Sequence, residues 1–204
     1  MPGQDISADK ARLRTALLKA RDSLPPDERA AKSRVLQERV LALPQFSRAS
    51  CVCLYLSVRS EAGTDLLLRA ALAEGKRILV PVVDRAAARL RLSELHEPQR
   101  ELAPGAYGVP EPLPRYRRYR SASLVEFMIL PCVGFDEQGY RLGYGRGYYD
   151  RLLASLEPGF PRVLLAFEIQ GVQRLPVEAH DVPVDMVVTE ERVRRIRGET
   201  TEPS

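Results

Sequence analysis

The fold is decided by residues 51–83, which read CVCLYLSVRSEAGTDLLLRAALAEGKRILVPVV. The stretch begins and ends with continuous apolar runs, at 51–57 and 77–83, which are typical of buried strands. Between them, Thr64 is placed to cap a helix that ends near Gly75. A strand, a crossover helix and a second strand form a βαβ unit, so this pattern predicts a parallel sheet with both faces covered.

The same pattern extends over most of the chain. Residues 7–24 and 27–43 repeat apolar positions at helical spacing, and Ser7 is predicted to cap the first of these helices. The apolar runs FMILP at 127–131, VLLAF at 163–167 and DMVVT at 185–189 predict further strands. We therefore expect an α/β fold with one domain at 1–197: a mostly parallel sheet with helices on both faces, in a Rossmann-like three-layer architecture. Residues 198–204 have no apolar anchor and are expected to form a disordered tail.

The composition is that of an ordinary globular protein with a basic charge. The chain has 204 residues, a hydrophobic fraction of 45% and a net charge of +4 from 31 basic and 27 acidic residues. This balance favours anionic partners. The first ten residues contain no apolar run, and no window approaches the ~18 apolar residues of a membrane helix. We therefore expect a cytoplasmic protein with no membrane partner.

Cysteine and histidine are too scarce for several common chemistries. Cys51, Cys53 and Cys132 lack the spacing of a disulfide framework, and the first two would share one face of a strand. We interpret all three as small buried apolar residues. With His96 and His180 as the only histidines, zinc-ligand spacings are missing, as are GxSxG and HExxH. The sequence therefore argues against zinc enzymes and serine hydrolases.

The densest functional signal is FDEQGYRLGYGRGYYDR at 135–151, which follows an apolar strand and leads into a predicted helix. Ligands bind at this position in open parallel sheets. Glycines at alternate positions allow positive φ angles, so successive N–H groups can surround a phosphate. Arginine can bind two phosphate oxygens at once; the candidates are Arg141, Arg146 and Arg151. The spacing matches neither the Walker nor the GxGxxG motif, and the alternative is a glycine-rich turn without a ligand.

Two aspartates could add a metal ion to this site. Asp150 follows the glycines directly, and Asp185 precedes a predicted strand. If both reached one phosphate, their oxygens would suit Mg²⁺, which commonly takes one or two carboxylates together with phosphates. The alternative for Asp150 is an acidic residue in the first turn of a helix that pairs with an arginine.

Three further charged residues are candidates for ligand binding. Lys10 and Arg14 lie near the start of a helix, where cations oppose the helix dipole by ~0.3–1 kcal/mol each, so a bound anion would remove the conflict. Alternatively, the aliphatic parts of these two side chains lie along the edge of the apolar face of the first predicted helix. Glu61 follows the first predicted strand at the edge expected for the glycines, where it could bind a substrate amine or amide. Its alternative is a solvated loop carboxylate.

The segment 98–120 differs in character from the rest of the chain. It is rich in proline and ends in RYRRYR at 115–120, so we interpret it as an extended surface excursion with solvated arginines. The alternating charges and aromatics leave nucleic-acid binding as an alternative.

These residues resemble those of the 5-formyltetrahydrofolate cyclo-ligase family, also called methenyltetrahydrofolate synthetases. The most specific match is RLGYGRGYYDR at 141–151. The supporting matches are KARLR at 10–14, Leu56 and Ser57 with Glu61 and Thr64, YGVPEP at 107–112, AFEIQ at 166–170 and LPVEAHDVPVD at 175–185. The resemblance therefore covers nearly the whole chain.

The resemblance implies a set of ligands and roles. ATP, the co-substrate, would contact Lys10, Ala11, Arg12, Leu13, Arg14, Arg141, Leu142, Gly143, Tyr144, Gly145, Arg146, Gly147, Tyr148 and Tyr149. Folate would lie near Leu56, Glu61, Tyr144 and Tyr148. Mg²⁺ would bind Asp150 and Asp185, and catalysis would depend on Arg146 and Asp150. A monomer with small-molecule substrates and no nucleic-acid partner is expected.

The implied reaction closes 5-formyltetrahydrofolate to 5,10-methenyltetrahydrofolate, with phosphoryl transfer from ATP to the formyl oxygen. Such a transfer needs positioning and charge neutralisation more than a catalytic histidine. The chain departs from the family pattern at Ala62, Gly63, Cys132 and Arg146. The alternative function is a folate- or nucleotide-binding relative that has no catalytic activity and a regulatory role.

Overall fold

The elements alternate between strands and helices over much of the chain, and a computed structural model describes residues 5–156 and 159–196. The helices are α1 (Ile6–Asp22), α2 (Pro26–Leu41), α3 (Pro44–Arg48), α4 (Asp65–Ala73), α5 (Pro98–Glu101) and α6 (Tyr148–Ala154). The strands are β1 (Cys51–Cys53), β2 (Arg77–Asp84), β3 (Arg89–Leu95), β4 (Leu102–Pro104), β5 (Pro110–Pro112), β6 (Tyr119–Arg120), β7 (Phe127–Leu130), β8 (Gly134–Asp136), β9 (Arg141–Leu142), β10 (Arg162–Leu165), β11 (Gly171–Val172), β12 (Met186–Val188) and β13 (Val193–Arg195). The tail predicted at 198–204 lies outside the described residues.

The main sheet is mostly parallel, as predicted. Within the described residues it has eight strands in the order β13-β12-β10-β7-β1-β2-β3-β6. Neighbours from β12 to β2 pair in parallel, while β13, β3 and β6 add antiparallel strands at the two sides. The predicted βαβ unit is β1–α4–β2, with Val52 opposite Ile78. Antiparallel β3 was not predicted.

Helices cover both faces of this sheet, which confirms the predicted layered architecture. One core contains Leu36 from α2 and Phe46 from α3, and the ring of Phe46 meets Phe127 of β7 edge-on at 5.5 Å. The core on the opposite face contains Leu152 and Leu153 from α6. In the described part of the chain, no helix is long and apolar enough to cross a membrane.

The cysteines are buried free thiols, as predicted. Cys51 and Cys53 belong to one core, while Val52 between them belongs to the other, so the two cysteines share a face of β1. Burial raises the pKa of Cys51 to about 11 and that of Cys132 to about 12. All three therefore behave as small apolar side chains rather than as nucleophiles.

Of the two predicted helix caps, Ser7 is wrong, while Thr64 does occupy the N-cap position of α4 but makes no side-chain capping bond. Asp5, not Ser7, caps α1, because its carboxylate accepts hydrogen bonds from the N–H groups of Ser7 at 3.1 Å and Ala8 at 3.2 Å. Thr64 does precede α4, but its hydroxyl donates to the carbonyl of Tyr55 at 2.8 Å instead of capping the helix. Thr64 therefore ties the start of α4 to the chain that leaves β1.

Three of the arginines predicted to be solvated in the 98–120 segment form ion pairs instead. The segment contains the β4–β5 hairpin and β6, which joins the main sheet. Each of the three pairs with a largely buried glutamate, whose charge would be costly without a partner. The pairs are Arg117–Glu111, Arg118–Glu101 and Arg120–Glu94. These arginines hold the excursion against the sheet, which weakens the nucleic-acid alternative.

A second, three-stranded sheet of the described residues, in the order β11-β8-β9, carries α1. Leu17 of α1 packs there with Val133, Leu142 and Leu175. The approach is closest at Gly134, where an added Cβ would overlap Leu17 Cδ1 and would lie 3.2 Å from the backbone oxygen of Gln170. A glycine at the start of β8 thus lets α1 approach the sheet.

We expect Gly134→Ala to lower the free energy of unfolding by about 1–3 kcal/mol, the cost typical of inserting a methyl group into a packed core. Urea denaturation measures this loss. The double variant Gly134→Ala/Leu17→Ala should lose less than the sum of the two single variants, because the new methyl occupies space that Leu17 leaves. Strictly additive losses would contradict a direct contact.

Candidate active site

A cavity of about 430 Å³ lies at the carboxyl ends of the parallel strands. Tyr55 and Leu56 follow β1, and Pro131 follows β7; all three line it. The cavity therefore occupies the edge at which ligands were predicted. It is also lined by Glu61, Tyr107, Arg141, Tyr144, Arg146, Tyr148, Tyr149 and Asp150.

Residues 143–147, called the glycine segment below, join β9 to α6 along this cavity. Gly145 and Gly147 have φ angles of 88° and 62°, which favour glycine. Arg14 of α1 donates from Nε to the carbonyl oxygen of Gly143 at 2.8 Å. A Cβ on Gly145 would lie 3.3 Å from the guanidinium carbon of Arg14. Gly145 therefore serves both the backbone conformation and the close approach of Arg14.

Arg141 and Asp150 form an ion pair beside the glycines. Arg141 donates from Nη2 to Asp150 Oδ1 at 2.9 Å, and only 3% of the Arg141 side chain is exposed. The Nε atom of Arg141 is buried and has no hydrogen-bond partner among the described residues. A buried donor without an acceptor is costly, so this atom marks a place where a bound acceptor would be favourable.

Glu61 is connected to the glycine segment through Tyr144. The Tyr144 hydroxyl donates to Glu61 Oε1 at 2.7 Å, and the N–H of Val58 donates to Glu61 Oε2 at 3.0 Å. Burial raises the pKa of Glu61, although these hydrogen bonds and the charge of Arg21 oppose the shift. Glu61 is thus not the solvated loop carboxylate of the alternative interpretation.

Tyr107 forms another part of the cavity wall. The guanidinium carbon of Arg146 lies 4.5 Å from the centre of the Tyr107 ring, and that of Arg85 lies 5.4 Å away. A hydrogen bond to Tyr107 raises the pKa of Tyr148. The structure therefore brings the predicted residues Arg146 and Tyr148 together around an aromatic ring.

The residues predicted at 10–14 do not act as one group. Arg14 contacts the glycine segment, whereas Lys10 binds Glu178 at 2.8 Å and Asp181 at 2.6 Å. The pKa of Lys10 is raised, because the hydrogen bonds to these two carboxylates outweigh the opposing effect of burial. Arg12 and Leu13 line a larger surface groove of about 1030 Å³, while Ala11 is exposed.

The structure separates Asp185 from Asp150. Asp185 immediately precedes β12, at the amino ends of the parallel strands, while Asp150 lines the cavity at their carboxyl ends. Both Asp185 oxygens are bound by Arg162, from Nε to Oδ2 and from Nη2 to Oδ1, each at 2.9 Å. The predicted metal site shared by the two aspartates is therefore not formed in this structure. In a parallel sheet, a residue that precedes a strand lies at the opposite edge from a residue that follows a strand.

Tyr107 and Arg21 are among the residues of this region that were not predicted as site residues. Tyr107 is part of the motif YGVPEP at 107–112, and its place between Gly105 and Gly108 is the feature of the sequence that could have indicated a role. Arg21 lies in α1, outside every motif described above. Its contacts depend on the packing of α1 against residues 60, 132 and 144, which no local pattern shows.

Comparison with protein families identifies the chain. Residues 6–190 match the family model of the 5-formyltetrahydrofolate cyclo-ligase family. The chain belongs to this family. Its resemblance to the family, inferred from the motifs, is thereby confirmed.

Named relatives and solved structures agree with this membership. The 5-formyltetrahydrofolate cyclo-ligase of Escherichia coli (strain K12) is 33% identical over 174 residues, which are 85% of this chain and 96% of the relative. The enzyme of that name from Mycolicibacterium smegmatis is 31% identical over 185 residues, covering 90% and 94% of the two chains. The NMR structure of Aquifex aeolicus 5,10-methenyltetrahydrofolate synthetase has a TM-score of 0.81 and 34% identity, covering 96% of each chain.

The raised pKa of Glu61 predicts a pH dependence of stability. Because the folded state binds the Glu61 proton more tightly than the unfolded state, this residue makes stability fall as pH rises from the ordinary value of 4.5 through the raised pKa. Below 4.5 and above the raised pKa, its contribution is constant. The difference in unfolding free energy between the wild type and Glu61→Gln, measured by urea denaturation from pH 4 to 7, should follow this course. A difference that rises with pH would contradict it.

Proposed function

We propose that this chain catalyses the ATP-dependent closure of 5-formyltetrahydrofolate to 5,10-methenyltetrahydrofolate, with release of ADP and phosphate. The observation that carries the proposal is a single cavity lined by a glycine segment with Arg141 and by the half-buried carboxylate of Glu61. The glycine segment and Arg141 suit a phosphate chain, and the Glu61 carboxylate suits the N–H groups of the pterin ring of a folate. Family membership supports this reaction class.

Arg141 lines the phosphate side of the cavity, and Arg14 contacts the glycine segment that borders it. The buried Nε of Arg141 has no hydrogen-bond partner among the described residues, and a phosphate oxygen would supply one. Arg14 contributes positive charge next to Gly143 and Gly145. We therefore assign the ATP phosphates to this side, with Arg146 reserved for the phosphoryl group in transfer. Lys10 would have to exchange Glu178 and Asp181 for a phosphate to take part.

The folate side is built around Glu61. Its two oxygens offer about four acceptor positions, of which hydrogen bonds from Tyr144 and Val58 occupy two. Pterin N–H groups can use the remaining ones. Leu56 supplies apolar surface, and the rings of Tyr144 and Tyr148 can pack against the flat pterin.

The proposed chemistry has two steps. The formyl oxygen attacks the γ-phosphorus of ATP, the bond from phosphorus to the bridging oxygen breaks, and ADP leaves. The resulting N5-iminium phosphate is then attacked at its carbon by N10, which loses its proton, and phosphate departs with the original formyl oxygen. Both steps move negative charge on phosphate oxygens, which the arginines of the cavity are placed to neutralise.

The cavity fits Mg²⁺ through one protein ligand. Asp150 lines the cavity beside the proposed phosphate position, and one carboxylate with phosphate oxygens is a common ligand set for this ion. We propose that Asp150 and the ATP phosphates would hold Mg²⁺, which would neutralise charge on the transferred group. Asp185 is not included, because Arg162 binds both of its oxygens at the opposite edge.

The setting of the reaction follows from the same residues. All the side chains invoked above belong to one chain, so a monomer is sufficient. The three free thiols suit the reducing cytoplasm, where we place the protein. ATP and a folate are its proposed partners.

The test is product formation by the purified protein with ATP, Mg²⁺ and 5-formyltetrahydrofolate. The methenyl product should appear as absorbance near ~360 nm, a property of the cofactor itself. Ligand binding in calorimetry without product would instead identify the non-catalytic relative and overturn the proposal.

Asp150→Asn should reduce kcat by about 100-fold or more, the scale seen when one preorganised electrostatic group is lost. The fold should persist, because the amide oxygen can still accept from Arg141. Circular dichroism and the thermal midpoint check the fold. Asp65→Asn, on the exposed side of α4, is the matched control and should keep full activity. A soluble, folded Asp150→Asn protein with wild-type kcat would contradict the assigned role.

A further inference from the structure

Arg21 is a buried arginine that connects three separate parts of the fold. Only 2% of the residue is exposed. Its Nε donates to the Ser60 hydroxyl at 3.0 Å, its Nη1 to the Cys132 carbonyl at 3.3 Å and its Nη2 to the Tyr144 hydroxyl at 3.1 Å. Burying a guanidinium is costly unless its donors are satisfied. A fixed fork of donors is therefore aimed at the chain after β1, the chain after β7 and the glycine segment.

The bond to Arg21 orients the Tyr144 hydroxyl. A guanidinium only donates, so the hydroxyl oxygen accepts from Arg21, and its own proton is directed to Glu61 Oε1 at 2.7 Å. Burial and the charge of Glu61 raise the pKa of Tyr144 to about 12, which keeps this proton in place at neutral pH. The Arg21 guanidinium carbon also lies 5.9 Å from the centre of the Tyr144 ring. Tyr144 is half exposed, yet its polar end is held on both sides.

We propose that Arg21 is a positioning residue that, through Tyr144, ties the glycine segment to Glu61 and so couples the binding of the two substrates. The proposal rests on the function proposed above, in which the glycine segment binds ATP and Glu61 binds folate. Tyr144 belongs to the glycine segment, and its hydroxyl contacts Glu61. Arg21 itself is not among the residues that line the cavity.

The coupling should be positive for a physical reason. A segment with glycines at 143, 145 and 147 loses much backbone entropy when it is ordered around a phosphate chain. Tyr144 restrains this segment from one side, and a folate seated on Glu61 and against the Tyr144 ring would restrain it further. Glu61 keeps acceptor positions for folate, so Tyr144 does not have to leave. The second ligand then pays less of the ordering cost than the first.

Isothermal calorimetry can measure this coupling. A non-hydrolysable ATP analogue with Mg²⁺ is titrated into the wild-type protein, without and with saturating 5-formyltetrahydrofolate. We expect folate to tighten binding of the analogue by about 3- to 10-fold, the range that corresponds to one hydrogen bond. The reverse titration should give the same factor, since coupling between two binding equilibria is reciprocal.

Two variants test the residues. Tyr144→Phe keeps the ring and removes the hydroxyl, and Arg21→Met removes the fork; each should reduce the coupling factor to less than about 2-fold. The double variant should lose no more coupling than either single variant, because both break one chain of contacts. Tyr119→Phe and Arg118→Met are the matched controls outside the cavity and should keep the wild-type factor. Arg118→Met also removes a guanidinium from a buried glutamate, so it controls for lost stability.

The outcomes separate the coupling from the reaction. A wild-type coupling factor of one, or an unchanged factor in Tyr144→Phe, would overturn the proposal even if product forms normally. Coupling that is lost in both Tyr144→Phe and a folded Arg21→Met supports it, and a folded Arg21→Met that keeps the wild-type factor would overturn the role of Arg21. Absence of product in the wild type, with coupling intact, would overturn the proposed reaction and leave the link between the two sites standing.

Discussion

Parallel pairing from β12 to β2 is the constraint on which the rest of the site depends. Strands that share one direction deliver the chain to one edge each time, so Tyr55, Glu61 and Pro131 reach the same cavity from different parts of the sequence. The same constraint sends Asp185 to the opposite edge, where Arg162 pairs with it. The second small sheet then carries the glycine segment from β9 to this edge, and α1 packs behind it.

The arginines divide into structural and ligand-facing groups according to their partners. Arg118 and Arg120 neutralise the largely buried glutamates Glu101 and Glu94, and Arg162 neutralises Asp185. Arg141 differs, because it lines the cavity and its pairing with Asp150 leaves a buried N–H without an acceptor among the described residues. Net charge alone favoured an anionic partner, but only the distribution of partners shows where an anion would be stabilised.

Much of the fold could be predicted from the sequence, because it rests on local periodicity. The continuous apolar run at 77–83 and the helical spacing at 27–43 correspond to β2 and α2. Competition between neighbouring side chains is harder to predict: Asp5 caps α1 where Ser7 was predicted to do so, and the hydroxyl of Thr64 bonds Tyr55 rather than the first turn of α4. In the site, the glycine segment had a clear local signal. Arg21 had none, because its partners lie at least 39 positions away in sequence, and pairings at that range follow from tertiary packing.

The placement of Asp185 was within reach of sequence reasoning. Asp185 precedes a predicted strand, and in a parallel sheet such a residue lies at the amino ends of the strands, away from the ligand-binding edge. What could not be read from the sequence is how Tyr144 meets Glu61 across 83 positions to join the proposed nucleotide and folate sides. That contact makes the cavity one site rather than two.

The central claim is that this cavity brings the γ-phosphoryl group of ATP to the formyl oxygen of the folate. It is tested most directly by supplying 5-formyltetrahydrofolate labelled with ¹⁸O in the formyl group and analysing the released phosphate by mass spectrometry. Transfer to the formyl oxygen predicts one ¹⁸O atom in each phosphate formed. Unlabelled phosphate, formed together with the methenyl product, would contradict it.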